Sequence, residues 1–442
     1  MDIGPGERLT ALRRLHWECG LGTLQLQSLL GIGYVAFVVW LGASEPQIGL
    51  LAALLSLAQL VQLPAAGLTA RIRHGRRFVV VTGIASGGML ASIVLVPLLA
   101  PEGLRVPVVM CLVAVAAALG ASGLPLFNAW FANLLPRDGT AAYLANRNIV
   151  ASGVALVAAF AIGWLLDLAP GYPGFAVLFA LGFAATVAGR AVLARVPDIT
   201  RTSGEQATAC WRHALREPFR HPAFIRFAAF FIVWQLANGV SVPFAQVFMM
   251  RTLHVPLREI GLLTAITTLV ALVTFKPWGA VLDRNSNRSV LQLGFALSFP
   301  VIAAYLLTWP ARYEVLYVIA VANGILGSGL NLAVNNLFYE ILPRGNEKVV
   351  LLGFYAATVG LVGFVGPVIG GLLAPVLSRH AFDFHGVHVD QFRMLFAITA
   401  AGWIPALWLL RRVPEKRATS LRELLVDMMP GRRRSEGPDT FH

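Results

Sequence analysis

Few residues in this 442-residue chain are placed to do chemistry, and the densest group is a run of ten. Gly279-Ala280-Val281-Leu282-Asp283-Arg284-Asn285-Ser286-Asn287-Arg288 sets an acid and two arginines between two long apolar runs. Gly279 suits the close approach of two helices, and the turn after it places Asp283, Arg284 and Arg288 at a membrane face. Charge pairs at such a place can bias a two-state equilibrium, or they form a plain helix-end cluster that fixes topology. A second group, His380, Asp383, His385 and His388, offers the donor types a transition metal takes. Its spacing meets no tight ligand pattern, so a solvated loop is the alternative. Glu18, just before the first apolar run, is the candidate proton site, or else a boundary carboxylate hydrated at the interface. The remaining polar groups are neutral. Gln235 and Asn238 lie three apart and Asn331 and Asn335 four apart, so each pair shares a helix face.

The elements that must position these groups are membrane helices. With 57% hydrophobic and 13% charged residues, and a mean hydropathy of +0.71, the chain is too apolar and too weakly charged for a soluble domain. Spanning about 30 Å of hydrocarbon takes roughly 20 helical residues. Twelve stretches qualify: 20–43, 48–70, 78–100, 106–132, 148–168, 174–194, 227–250, 257–279, 289–309, 313–337, 350–376 and 393–410. The fold class expected is therefore all-α and polytopic, with a six-helix bundle over 1–194, a linker at 195–226, a second bundle over 227–411 and a basic tail at 412–442. Most of the 35 lysines and arginines fall on the side of both termini, leaving Arg105, Arg251, Arg258, Arg312, Arg379 and Arg393 in the loops opposite. That bias puts both termini in the cytoplasm. It also accounts for the net charge of +13 without a nucleic-acid partner. Cys19, Cys111 and Cys210 have no spacing that suggests a disulfide or a metal site. Neither a phosphate-cradling loop nor a converging nucleophile, base and acid is present, so an enzyme is not expected and no cofactor is implied.

A shift of 207 residues aligns Asn128 with Asn335, Gly163 with Gly370, and Leu135-Pro136-Arg137 with Leu342-Pro343-Arg344. Two parallel repeats and the Gly-x-x-x-Asp-Arg-x-Ser-x-Arg run together resemble the major facilitator superfamily along nearly the whole length. The resemblance implies twelve helices in two pseudo-symmetric six-helix bundles that rock around a central site. It places Glu340 in a gating network with Asp283, Arg284 and Arg288. It also makes the first, seventh and tenth helices cavity-lining, which offers Gln25, Ser28, Gln235, Asn238, Asn331 and Asn335 to a solute. Amides both donate and accept hydrogen bonds, which suits a neutral or zwitterionic cargo, although single amides also join helices.

The equivalent loop after the second expected helix, Gly67 to Arg77, keeps the glycine and the basic cluster but has Arg71 where the other half has Asp283. Asn133 stands where Glu340 would be matched, so the first half lacks both acids. The function expected is secondary transport of a small polar or amphipathic solute across a bacterial inner membrane, by a monomer embedded in lipid, with a proton or another ion as a candidate coupling partner. A metal-ion transporter fed by the histidine loop is the alternative. A further one is a non-transporting sensor or assembly partner of the same fold.

Overall fold

The computed structural model describes residues 5–62, 65, 72, 74–135, 140–198, 217–306, 308, 313–343, 347–384 and 387–415. Helices α1 (Pro5–Leu30) and α2 (Ile32–Trp40) make one span, broken where Gly31 leaves helical geometry at ψ −154°. α3 (Glu45–Leu57) opens on a capping box, with the Ser44 backbone donating to Gln47 Oε1 at 2.9 Å, and tightens into a 3₁₀ turn through Val61. There follow α4 (Gly75–Ser92), α5 (Val96–Leu99), α6 (Glu102–Leu134), α7 (Thr140–Leu168) and α8 (Tyr172–Ala194). The second half of the chain supplies α9 (Pro222–Ser241) and α10 (Ala245–Arg251), which a 3₁₀ turn around Pro243 joins where the proline removes a backbone donor. It continues with α11 (Leu257–Arg284), α12 (Asn287–Leu306), α13 (Val315–Ile341) and α14 (Glu347–Ser378). A small hairpin of β1 (Phe382–Phe384) and β2 (Val387–Val389) leads into α15 (Gln391–Leu410).

Among the described residues, 11 helical segments are long and apolar enough to cross a membrane. The apolar helix Glu45–Val61 is shorter, because most of the expected span at 48–70 beyond residue 62 lies outside the described residues. The first span begins well before the expected residue 20. Hydropathy misses this extension because charged residues interleave its few apolar ones: Ala11 and Leu15 are buried in a core, while arginines dock it to neighbouring helix ends. Arg8 donates through Nε to Leu134 O at 3.1 Å and also to Leu135 O, while Arg14 reaches Arg195 O. These arginines satisfy carbonyls at the C-terminal ends of α6 and α8 and complement the dipoles there. Glu18 therefore lies inside the first span and not ahead of it. Likewise α7 starts early enough to carry Arg147 within a helix.

The end of the bundle at which α1 begins is called here the terminal face, and the end at which α2 stops and α3 starts the far face. Three apolar cores divide along this axis. Toward the far face one core joins both halves of the sequence, with Phe37, Val109, Leu178 and Phe179 alongside Phe244, Phe248, Ile260 and Leu395. Toward the terminal face the cores separate. One contains only first-half residues, including Leu15, Trp130 and Val196, and the other only second-half residues, including Phe227, Phe338 and Leu410.

The shared end closes along two seams. In lipid, helices gain nothing by hiding apolar surface from one another, so association depends on close packing and polar contacts. On the α3–α14 seam, a Cβ added to Gly49 would sit 2.4 Å from Pro367 O and 3.0 Å from Gly371 Cα. On the α7–α11 seam, a Cβ added to Gly261 would sit 2.5 Å from Ala159 O and 3.3 Å from Gly163 Cα. Both seams are thus backbone-on-backbone contacts that only glycine permits.

Candidate functional site

Two polar clasps close the far face over those seams. Arg251, the last residue of α10, pairs with Glu45 at the start of α3, Nη1 to Oε1 at 2.9 Å, and also donates to Ala43 O. The second clasp is a helix cap supplied from a distant helix. α11 begins after Pro256, whose side chain cannot accept a hydrogen bond, and Asp167 at the end of α7 fills that role. Its carboxylate accepts from the Leu257 and Arg258 backbone N–H groups at 3.2 Å each, where the helix dipole also favours negative charge. Arg258 adds a looser ion pair to the same carboxylate at 3.9 Å.

The terminal face is fastened within each half instead. Two residues, Asn285 and Ser286, separate α11 from α12, and both are buried. Glu415, just beyond α15, caps the start of α12. It accepts from the Asn287 and Arg288 N–H groups at 2.5 and 3.2 Å and from the Ser286 hydroxyl. In the first half Asp198, just beyond α8, accepts from the Arg76 N–H at 3.2 Å near the start of α4. Both acids close the same tetrapeptide, Arg195-Val196-Pro197-Asp198 and Arg412-Val413-Pro414-Glu415, with each valine buried in its own half's core. The first half has thus not gone without an acid at this face. It draws one from behind α8, while Gly67, Arg71 and Arg73 lie outside the described residues.

The gating residues expected from the sequence are only partly gathered. Asp283 and Arg284 end α11 and are exposed, and Arg288 reaches back to Arg411 O at 3.5 Å. Glu340 accepts from Asn287 Nδ2 at 3.3 Å. Gly279 does not bring two helices together: a Cβ there would meet nothing within 4 Å. The close approach in that region belongs to Gly329, whose added Cβ would fall 2.6 Å from the Trp278 ring.

A cavity of about 650 Å³ is lined by first-half residues, from α1 and Gly31, α3 and the 3₁₀ turn after it, α4, α6 and α8. Its polar lining includes Glu18, Gln25, Gln27, Gln59, Thr82 and Arg190. Glu18 is buried and ion-paired through both oxygens, to Arg147 Nη2 at 3.4 Å and to Arg190 Nη1 at 3.6 Å. Arg190 lies against α4 because residue 83 is glycine, where a Cβ would sit 2.4 Å from its Nε. Arg147 stacks over the Phe131 ring, 4.5 Å from its centroid. Arg147 and Arg190 were not legible as partners of Glu18, since the pairing depends on the rotational register of three helices.

Of the expected cavity amides, Gln25 lines this space. Ser28 is buried against Gly182, where an added Cβ would come within 3.0 Å of it. Asn238 accepts from Trp403 Nε1 at 3.2 Å, an inter-helix tie. Asn335 donates to Asn331 O at 2.8 Å and to its Oδ1 at 3.1 Å. Those residues and the half-buried Gln235 do not line the 650 Å³ cavity. In the hairpin loop His388 Nδ1 meets Asp383 Oδ1 at 2.9 Å, both exposed, while His380 Nδ1 lies 3.0 Å from Val376 O and His385 falls outside the described residues. Among the described residues no three His, Cys, Asp or Glu side chains gather to hold a metal.

Comparison with known proteins bears on this geometry. The sequence profile described as Major Facilitator Superfamily matches residues 21–242 and again 235–434. No curated protein matches the sequence. Among solved structures, the nucleoside transporter NupG is similar at 13% identity and TM-score 0.68, over 92% of this chain and 98% of that one. A D-xylose-proton symporter matches at 16% identity and TM-score 0.65, over 94% and 99%. A bacterial homologue of the iron transporter ferroportin, in an inward-facing state, matches at 13% identity and TM-score 0.69, over 92% and 98%. At such identities the likeness is one of fold, and three different cargoes on one fold do not select among themselves.

Proposed function

The chain belongs to the Major Facilitator Superfamily, and on that premise we propose that it is a secondary transporter moving a small polar organic solute by alternating access. The moving bodies are the six-helix bundles 1–194 and 227–411, joined by the linker 195–226. One observation carries this reading: the apolar core is shared between the halves toward the far face and split in two toward the terminal face. Bodies that rock about a central axis need one end closed by contacts that can separate and the other end free. The far-face clasps fit that need, since they consist of the Glu45–Arg251 pair and the Asp167 cap with its looser Arg258 pair, over glycine seams, with no covalent or metal tie among them.

In the reciprocal state the terminal face closes, and Asp283, Arg284, Arg288 and Glu340 supply its gate. The terminal face is the cytoplasmic one in this reading, in the inner membrane of a bacterium, and the state described opens inward. An organic solute is favoured over a metal ion because the charged groups on and behind the cavity wall are two guanidiniums and one carboxylate. A cation would be repelled by that excess positive charge.

The test is counterflow in proteoliposomes holding the full chain, with a panel of sugars, nucleosides, amino acids and organic acids. Saturable exchange of one class, lost when Glu45→Cys and Arg251→Cys are bridged by a short thiol cross-linker and regained on reduction, supports the reading. Exchange that continues with the far face locked overturns it.

A further inference from the structure

We propose that the first-half cavity is an anion-recognition site, and that the cargo carries one carboxylate or phosphate group which Arg190 binds. The inference rests on the transporter reading and narrows its substrate class. Three observations meet at one place. The cavity wall includes Arg190 and Glu18, and Arg147 stands behind Glu18, so two guanidiniums face a single carboxylate. A cluster with surplus positive charge, set in a low-dielectric surround, is completed by one negative group from the cargo.

The second observation is how little of Arg190 is used. A guanidinium presents five N–H donors in a planar fork suited to two oxygens of one anion. Among the described residues its polar partner is one Glu18 oxygen, at 3.6 Å, longer than a strong charge-assisted hydrogen bond. The side chain keeps 20% of its surface open, on the cavity side, and Gly83 leaves the room in which it lies.

The third is the division of labour along the wall. Gln25, Gln27 and Gln59 line the same space and can both donate to and accept from the neutral part of a solute. Arg147 is less available to a ligand, because it stacks over Phe131 and is absent from the wall. It acts as a positioning residue, sharing the Glu18 carboxylate so that Arg190 is free to turn toward the anion. In the second half, the core near the terminal face is instead a stack of rings that includes Phe227, Phe338, Tyr355 and Trp403. Among the described residues, the charged groups of this cavity all come from the first half.

The experiment uses matched probes that differ by one anionic group: gluconate against sorbitol, uridine 5′-monophosphate against uridine, and lactate against glycerol. Thermal-shift titration of the purified full chain gives affinities, and counterflow in proteoliposomes gives movement. The expected result is that the anionic member of one pair binds about tenfold or more tightly than its neutral partner. Arg190→Gln should remove that preference, with its fold checked by a single monodisperse elution peak and an unchanged helical circular-dichroism spectrum. Arg190→Lys should restore part of the preference, since it keeps the charge but loses the fork. Glu18→Gln, which removes a competing carboxylate, should tighten the anion.

Movement of a neutral probe with no preference for its anionic partner would overturn the anion assignment and leave the transporter reading standing. An anion preference that survives Arg190→Gln unchanged would overturn it as well. Absence of both binding and movement for every pair would overturn both readings.

Discussion

The two ends of this bundle are built from the same kinds of residue and do opposite things with them. At the far face, acids reach across the sequence midpoint: Glu45 to Arg251, and Asp167 to the start of α11. At the terminal face, acids stay within their own half, with Asp198 at the start of α4 and Glu415 at the start of α12. Each helix start needs a carboxylate or its equivalent, because the first N–H groups of a helix have no partner inside it. Where that carboxylate comes from decides whether the cap also ties the halves together. In the proposed reading, ordinary capping chemistry makes the far face a separable latch, while at the terminal face it fastens each half to itself.

Substitutions on the two faces should move the equilibrium in opposite directions. The largest effect belongs to the glycine seams. Gly49→Leu inserts a side chain where a Cβ alone would be 2.4 Å from Pro367 O, so the closed far face should lose about 1–3 kcal/mol. Most molecules should then occupy the opposite state, read as faster labelling of an introduced Ser56→Cys by a membrane-impermeant maleimide from the far side. Equal labelling of the two backgrounds would mean that the seam does not control closure.

Asp167→Ala should act in the same direction, by about 1 kcal/mol for a lost cap. Its effect on that labelling rate should exceed that of Glu45→Ala, since Asp167 satisfies two helix-start N–H groups, whereas Glu45 makes a single partly exposed ion pair and Arg251 keeps Ala43 O. Asp283→Asn should do the reverse and tilt the balance toward the far-closed state by roughly threefold, within the range of an exposed charge contact. A shift of the same sign as Asp167→Ala would remove Asp283 from the terminal gate. The smallest effect on the balance should come from Glu415→Gln. It frays the start of α12, visible as faster amide exchange at Arg288 and Ser289, yet leaves far-face labelling unchanged because both partners sit in one half.

How far these features can be read from sequence follows from what each depends on. The spans are legible because hydropathy over about 20 residues is a property of one segment. The early start of α1 is not, since Arg8 and Arg14 are held by carbonyls more than a hundred residues away. Gly279 is legible as a glycine in a signature, but whether a helix lies beside it is a tertiary fact, and Gly329 has that role. The Arg-Val-Pro-acid repeat behind α8 and α15 is present in plain sequence, out of register with the 207-residue shift that aligns the other repeats. A search at a second spacing finds it. The Glu18, Arg147 and Arg190 cluster carries no such signal, because three residues at unrelated spacings meet only after three helices have taken their rotations.

The account depends most on the claim that the far face is a latch and not a permanent weld. The most direct measurement is electron–electron distance spectroscopy on two spin-labelled pairs in lipid nanodiscs, Leu99 with Arg379 across the far face and Arg13 with Arg284 across the terminal face. The account predicts two populations for each pair. Asp167→Ala should enlarge the long far-face distance and the short terminal-face distance together. Single distances for both pairs, unmoved by Asp167→Ala and by Gly49→Leu, would contradict it.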